Sequence, residues 1–172
     1  MRTLVLLLAG VVLAACADTH SVYRPNQISK RMAPSATAYV SVPPDGAHEG
    51  KMYPGTGVTA AQIVSAAFAR HFQRVEQATG PQTLQSALDQ AKAKNARYLI
   101  APAILDWQDW DTQNTGRSDH VQVEITVIEV ATGETIEHGF VGGTNGIPSW
   151  GSEKTQELLP VPVAEYVDSL FY

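Results

Sequence analysis

Residues 106–111, Asp106-Trp107-Gln108-Asp109-Trp110-Asp111, set three carboxylates beside two indoles. Carboxylate oxygens suit a hard cation such as Ca²⁺. The glycine and terminal glutamate of a Ca²⁺ loop are missing. A contact surface is the better reading, because tryptophan is enriched where proteins meet partners. Its candidate residues are Trp107, Trp110, Asp109 and Asp111. In a strand Trp107, Asp109 and Asp111 share one face and Asp106 takes the other, with exposed acids and partly buried indoles. A second stretch, Gly50-Lys51-Met52-Tyr53-Pro54-Gly55-Thr56-Gly57, lies between a predicted strand and a predicted helix. Backbone N–H groups at a helix start can receive an anion. A P-loop needs Ser or Thr after its Gly-Lys pair, and Met52 stands there instead. Lys51, Tyr53, Gly55, Thr56 and Gly57 are therefore candidate loop contacts, for a partner or for a small anion. His20, His48, His71, His120 and His138 show no metal-ligand spacing. No Gly-x-Ser-x-Gly elbow is present. Neither a catalytic set nor a metal site is expected.

Cys16 is the single cysteine, so it makes no internal disulfide. It is free, paired with another chain, or modified. Arg2 precedes an apolar run from Leu4 to Leu13, the pattern of a secretory signal. The run is shorter than the roughly 20 residues of a membrane-spanning helix. Leu13-Ala14-Ala15-Cys16 closes it. This closing segment resembles the bacterial lipobox, which implies cleavage before Cys16 and acylation of its thiol. Diacylglycerol and an N-acyl chain on Cys16 are the implied covalent groups, and no other cofactor is expected. Stable anchoring needs more than one chain, at about 0.8 kcal/mol per buried CH₂. Ala17, rather than Asp, follows the cysteine. By the enterobacterial sorting rule that implies the outer membrane, periplasmic face.

Removing residues 1–15 leaves about 157 residues, enough for one domain with a core. The formal charge of −5 becomes about −6 without Arg2. That balance argues against nucleic acid and gives no polybasic patch for anionic lipid. The membrane partner is reached through the lipid.

The elements that would position these residues follow from periodicity. Residues 16–37 read as the lipidated N-terminus and a linker, polar and interrupted by Pro25 and Pro34. Residues 38–42 alternate as a strand. A helix is predicted from Ala60 to about Phe72 with Thr59 as cap and Ile63, Val64, Ala67, Phe68 and Phe72 inward. A short strand around Val75 is followed by a helix from Leu84 to about Lys94, capped by Thr83 and ended by Asn95. Residues 98–105 form an apolar strand with Pro102 at a bulge or unpaired edge. Residues 121–130 alternate, with Val121, Val123, Ile125 and Val127 on one face. Ala131-Thr132-Gly133-Glu134 turns the chain into a last strand, 135–141. Residues 142–146 read as a flexible loop. Pro162 to Phe171 is a helix with Val163, Tyr166, Val167 and Leu170 inward. The fold class is α/β (α+β). It has a single mixed sheet of about five strands and about three helices, in the order β-α-β-α-β-β-β-α, over residues 38–172.

This order, with Lys94-Asn95-Ala96-Arg97-Tyr98-Leu99-Ile100 entering a strand and a Thr132-Gly133 hairpin, is similar to a family of small proteobacterial lipoproteins of unknown function. More distantly it resembles the periplasmic α/β domain of the TolB N-terminal region, the penicillin-binding-protein activators and the curli secretion lipoprotein. That resemblance implies a non-catalytic accessory role, with an envelope protein as partner. A periplasmic sensor or carrier for an anion or metal is the first alternative, and a hydrolase with an unrecognised site the second.

Overall fold

The computed structural model describes residues 18–25, 31–110, 112–146 and 154–171. Residues 1–17, Cys16 among them, and Asp111 lie outside the described residues. Eight strands are described: β1 Thr19–Tyr23, β2 Thr37–Val42, β3 Ala47–His48, β4 Lys51–Met52, β5 Arg74–Pro81, β6 Tyr98–Gln108, β7 His120–Glu129 and β8 Glu134–Thr144. Three helices stand with them: α1 Thr56–Phe68, α2 Leu84–Ala93 and α3 Pro160–Asp168. A single helical turn, Thr112–Thr115, and a 3₁₀ turn, Thr155–Leu158, complete the described elements. Six strands form one mixed sheet in the order β1-β8-β7-β6-β2-β5, and β3–β4 is a small hairpin. β2 runs parallel to β5 and β6, and the other pairs are antiparallel.

Alternation decides which side of the sheet is covered. Val121, Val123, Ile125 and Val127 of β7 are fully buried. They face α3, whose Tyr166 hydroxyl donates to the Ile125 carbonyl at 3.3 Å. Tyr98 stacks on Phe72 just beyond α1 (centroids 5.4 Å apart), so α1 and α3 cover the same face. Gly139 of β8 is there because a Cβ would enter the Tyr166 ring. Among the described helices α2 covers the opposite face, where Tyr39 donates to Gln90 Oε1 at 2.9 Å. Thr83 caps α2 as expected, accepting the Ser86 N–H at 3.2 Å. Asn95 ends it at φ 54.

Three expectations are corrected. The linker expected over 16–37 contains β1, which pairs antiparallel with β8, and Met32 and Ala36 are core residues. A polar five-residue strand gives no periodic signal when one side of it faces water. The loop expected at 142–146 is strand as far as Thr144. Gly142 and Gly143 reflect crowding there, since a Cβ would meet the Val121 carbonyl or Leu158. α1 begins four residues before the expected start, with Gly55 at φ 86 as its cap rather than Thr59. Of the two settings read for Pro102, a bulge or an unpaired edge, the structure shows the second, since the register shift of β6 falls between Ile104 and Asp106. The β2 ladder stops at Ile100, so Pro102 meets no β2 partner that needs its missing N–H.

Candidate functional site

One end of the sheet collects both stretches singled out from sequence. β6 ends there at Gln108, paired with His120 at the start of β7. His120 pairs with Thr144 at the end of β8, and Thr144 pairs with Thr19 at the start of β1. β2 has already stopped at Val42. The chain after it lies along the free side of β6, and the β3–β4 hairpin brings His48 to Asp106, with Nδ1 2.9 Å from Oδ1.

From Asp106 the contacts spread outward. Its Oδ2 accepts from Gln108 Nε2 at 2.6 Å. His120 Nε2 lies 4.0 Å from the same oxygen. Gln108 Oε1 accepts the Trp110 indole N–H at 3.2 Å. The indole takes His48 edge-on, with centroids 5.8 Å apart, and the Arg117 guanidinium lies 4.6 Å from its ring centroid. Trp110 is thus gripped on several sides and half-buried.

The loop after β6 is stapled by Asp119, which is only 3 % exposed. Its Oδ1 accepts the Trp110 backbone N–H at 2.7 Å and its Oδ2 accepts from Asn145 Nδ2 at 3.2 Å. Asn145 Oδ1 in turn accepts the Asp119 N–H at 2.7 Å. Burial pushes the Asp119 carboxyl above the usual carboxylate range. The Trp110 N–H opposes this and Asp109 adds to it.

The candidate residues divide sharply. Trp107 is 3 % exposed and packs beneath Gly46, whose Cβ position is 2.7 Å from Trp107 Cβ. It is a core residue and offers no contact surface, which corrects the sequence reading. The register shift in β6 turns Trp107 inward opposite Val121. Asp109 is exposed, outside the strand, and its N–H reaches the Tyr53 hydroxyl at 3.4 Å. Lys51 is exposed, with Nζ 4.6 Å from the Tyr53 ring centroid. Tyr53 and Thr56 are buried, which corrects their reading as loop contacts. Thr56 Oγ1 donates to the Tyr53 carbonyl at 2.7 Å and accepts the Gly46 N–H at 2.8 Å.

The acceptor that a bound anion would offer the start of α1 is supplied by the chain itself. The Gly57 N–H donates to Asp45 Oδ1 at 2.9 Å. A Cβ at Gly57 would strike the Pro43 carbonyl, so this glycine serves close packing. Gly55 supplies the left-handed turn into the helix. Sequence reasoning missed Asp45, Asp119, Asn145 and Arg117, because each lies outside the two stretches singled out. Among the described residues no three His, Cys, Asp or Glu side chains are grouped to hold a metal.

The α2 side of the sheet carries a second feature. Tyr23 is 61 % exposed and stacks on Phe140, with centroids 6.0 Å apart. His138 meets Phe140 edge-on at 5.8 Å. Nearer α2, a groove of about 250 Å³ runs among Pro43, Pro44, Leu84, Ala101, Pro102 and Ala103.

A family model described as a domain of unknown function, DUF4823, matches residues 30–170, and the chain belongs to that family. The membership agrees with the family of unknown function that the sequence resemblance implied. Among solved structures the chain is similar to PelC from Paraburkholderia phytofirmans, described as a dodecamer. The TM-score is 0.66 at 19 % identity, covering 89 % of this chain and 96 % of that one. It is also similar to a Xanthomonas campestris protein of the DUF330 family, with a TM-score of 0.50 at 11 % identity, covering 86 % and 87 %. At these identities the likeness is one of fold. No curated protein matches the chain.

Proposed function

We propose that this DUF4823 protein is a lipid-anchored, non-catalytic accessory component of the bacterial envelope. Acylated Cys16 holds it to the outer membrane on the periplasmic side, and it binds another envelope protein. The observation that carries the binding role is the half-covered sheet face. Exposed Tyr23 on Phe140, together with the neighbouring groove, makes an apolar surface of the kind that marks interaction sites. The polar groups at the Trp110 end support a structural role over catalysis, since Asp106, Asp119 and Gln108 are engaged in holding loops. The small-anion reading loses support because Asp45 already occupies the α1 N-terminus.

A second reading is favoured by the fold. The PelC chain that shares it is described as a dodecamer, so the partner is in that case another copy. The test of the main reading is crosslinking of the full lipoprotein in intact cells, with mass spectrometry of what is captured. One dominant protein, lost with Cys16→Ala and with Tyr23→Asp, supports the proposal. Capture of this chain alone selects the second reading. Nothing above background refutes both.

A further inference from the structure

One residue, Ala17, separates Cys16 from Asp18, which the fold already holds. Consecutive Cα atoms are 3.8 Å apart, so the anchor residue lies within about 7–8 Å of Asp18. Asp18 itself is held: its Oδ1 accepts the Gly146 N–H at 3.1 Å, and Thr19 pairs with Thr144. The sheet end where β1 begins is therefore the end nearest the lipid. That end carries Trp110, Arg117 and the β3–β4 hairpin with Lys51 and Met52. Tyr23, Arg24 and Asp168 lie toward the other end, because β1 runs away from the anchor and α3 runs the same way.

We propose that the Trp110 end of the sheet rests on the bilayer, with Trp110 and Met52 in the headgroup layer of the leaflet that holds the Cys16 lipid. The inference rests on the lipid-anchor reading and adds an orientation and a contact surface to it. The polar layer on each side of a bilayer is roughly 5–8 Å deep, and the tether is no longer than that. Met52 is 56 % exposed on a two-residue strand, an apolar side chain paired with Ala47 at the open end of the hairpin. Val161, also 56 % exposed, opens α3 just after the 3₁₀ turn, whose Thr155 donates to the Gln108 carbonyl at 3.2 Å.

Trp110 offers an apolar ring with its N–H already satisfied by Gln108, a combination suited to the membrane interface. Arg117 and Lys51 have apolar stems that can lie along the same layer with their charges toward phosphate. The charges at this end are mixed, since Glu49, Asp106 and Asp109 stand with Lys51 and Arg117. Contact therefore follows from the tether and the apolar side chains, and does not require anionic lipid.

Cys16 is consumed by lipid in this reading, so an introduced cysteine is a unique labelling site. The test uses the full lipoprotein in phosphatidylcholine vesicles, carrying a nitroxide at Met52→Cys or, separately, at Tyr23→Cys. Mass spectrometry of the purified protein first establishes the acyl chains, and their absence would refute the anchor reading and not the geometry. With the lipid present, the label at position 52 should be several-fold less accessible to an aqueous relaxer than the label at 23. Inserting ten Gly/Ser residues between Ala17 and Asp18, an average reach of about 17 Å, should remove most of that difference. Equal aqueous accessibility at 52 and 23 overturns the proposal. So does protection at 52 that appears only when phosphatidylglycerol is added, because the contact would then be electrostatic.

Discussion

Replacing Arg24 with alanine should release β1 from the sheet edge before it unfolds the domain. Arg24 follows β1 and reaches under the sheet. Its Nη1 donates to Ser169 Oγ at 2.8 Å, and Nη2 lies 3.9 Å from Glu137 Oε2. The Glu137 side chain is 4 % exposed, against 22 % for Arg24. Removing one partner of a buried pair costs about 3–5 kcal/mol, because a charge is left without compensation. The distance is at the outer limit for an ion pair and Arg24 is partly solvated, so about 2–3 kcal/mol is the better figure here. β1 has little else holding it inward. It is five residues long, and Val22 is its one side chain packed against the core. Opening β1 alone is cheaper than unfolding the sheet, so the loss should appear there. At about 1.4 kcal/mol per factor of ten, the opening equilibrium rises roughly 30- to 150-fold. Native-state hydrogen exchange on a peptide spanning β1 measures this directly, with a β7 peptide as internal control. Glu137→Gln combined with Arg24→Ala should recover part of the loss, because the stranded charge is gone. Unchanged β1 exchange in Arg24→Ala, or additive effects in the double-mutant cycle, would refute the clamp.

Three further outcomes are expected. Asp168 is held below the usual carboxylate range, first by its hydrogen bond with His71 (2.7 Å) and then by Arg70. Its contribution is present above the unfolded value of about 3.8 and lost as pH falls through the lower folded value. Asp168→Asn should therefore flatten the acid limb of a denaturation-midpoint profile between roughly pH 5 and 2. Asp119 works in the opposite sense, since burial raises its folded value and its carboxyl favours folding more as pH falls toward 3.8. Asp119→Ala removes the acceptor of the Trp110 backbone N–H and one contact of the Asn145 amide, costing about 1–3 kcal/mol by urea denaturation. Gly139→Ala drives a methyl into the Tyr166 ring, and overpacking of this kind costs about 1–3 kcal/mol. At about 2–4 °C per kcal/mol, Tm should fall by roughly 2–12 °C, whereas Gly80→Ala, with open space around its Cβ position, should leave Tm nearly unchanged.

What was legible in the sequence was what repeats with a period. The stripe Val121, Val123, Ile125 and Val127 and the α3 residues Val163, Tyr166, Val167 and Leu170 are all buried as read. Local chemistry was legible as well, as the Thr83 cap and the Asn95 and Gly133 turns show. Residues whose meaning depends on a distant neighbour were not. Gly142, Gly143 and Gly57 look like loop residues, yet each stands where another part of the chain comes too close for a side chain. Trp107 and Trp110 are three residues apart in the same acidic segment, and only the β6 register shift sends one inward and leaves the other near the surface. β1 carries one inward apolar residue, so nothing in its composition separates it from a linker.

The placement of β1 also bears on where a partner can bind. A six-stranded open sheet has two edges, and unpaired backbone on an edge invites pairing with another chain. β1 covers the β8 edge and becomes the outer strand there, ending at partly buried Arg24. The far edge is β5, whose Arg74 pairs with Glu76, where Lys94 also holds Glu76 at 3.1 Å, and which ends at Pro81. Charges and a proline on an edge strand oppose pairing with a second sheet. The α1–α3 face is filled by its helices, and the Trp110 end is turned to the membrane if the tether is as short as β1 makes it. The α2 side, with Tyr23 on Phe140 and the groove beside Leu84, is the sheet surface open to a protein partner. Folding β1 into the sheet thus does two things at once. On the proposed lipid anchor it draws the Trp110 end toward the bilayer, and it adds Tyr23 to the face that looks away from the other helices.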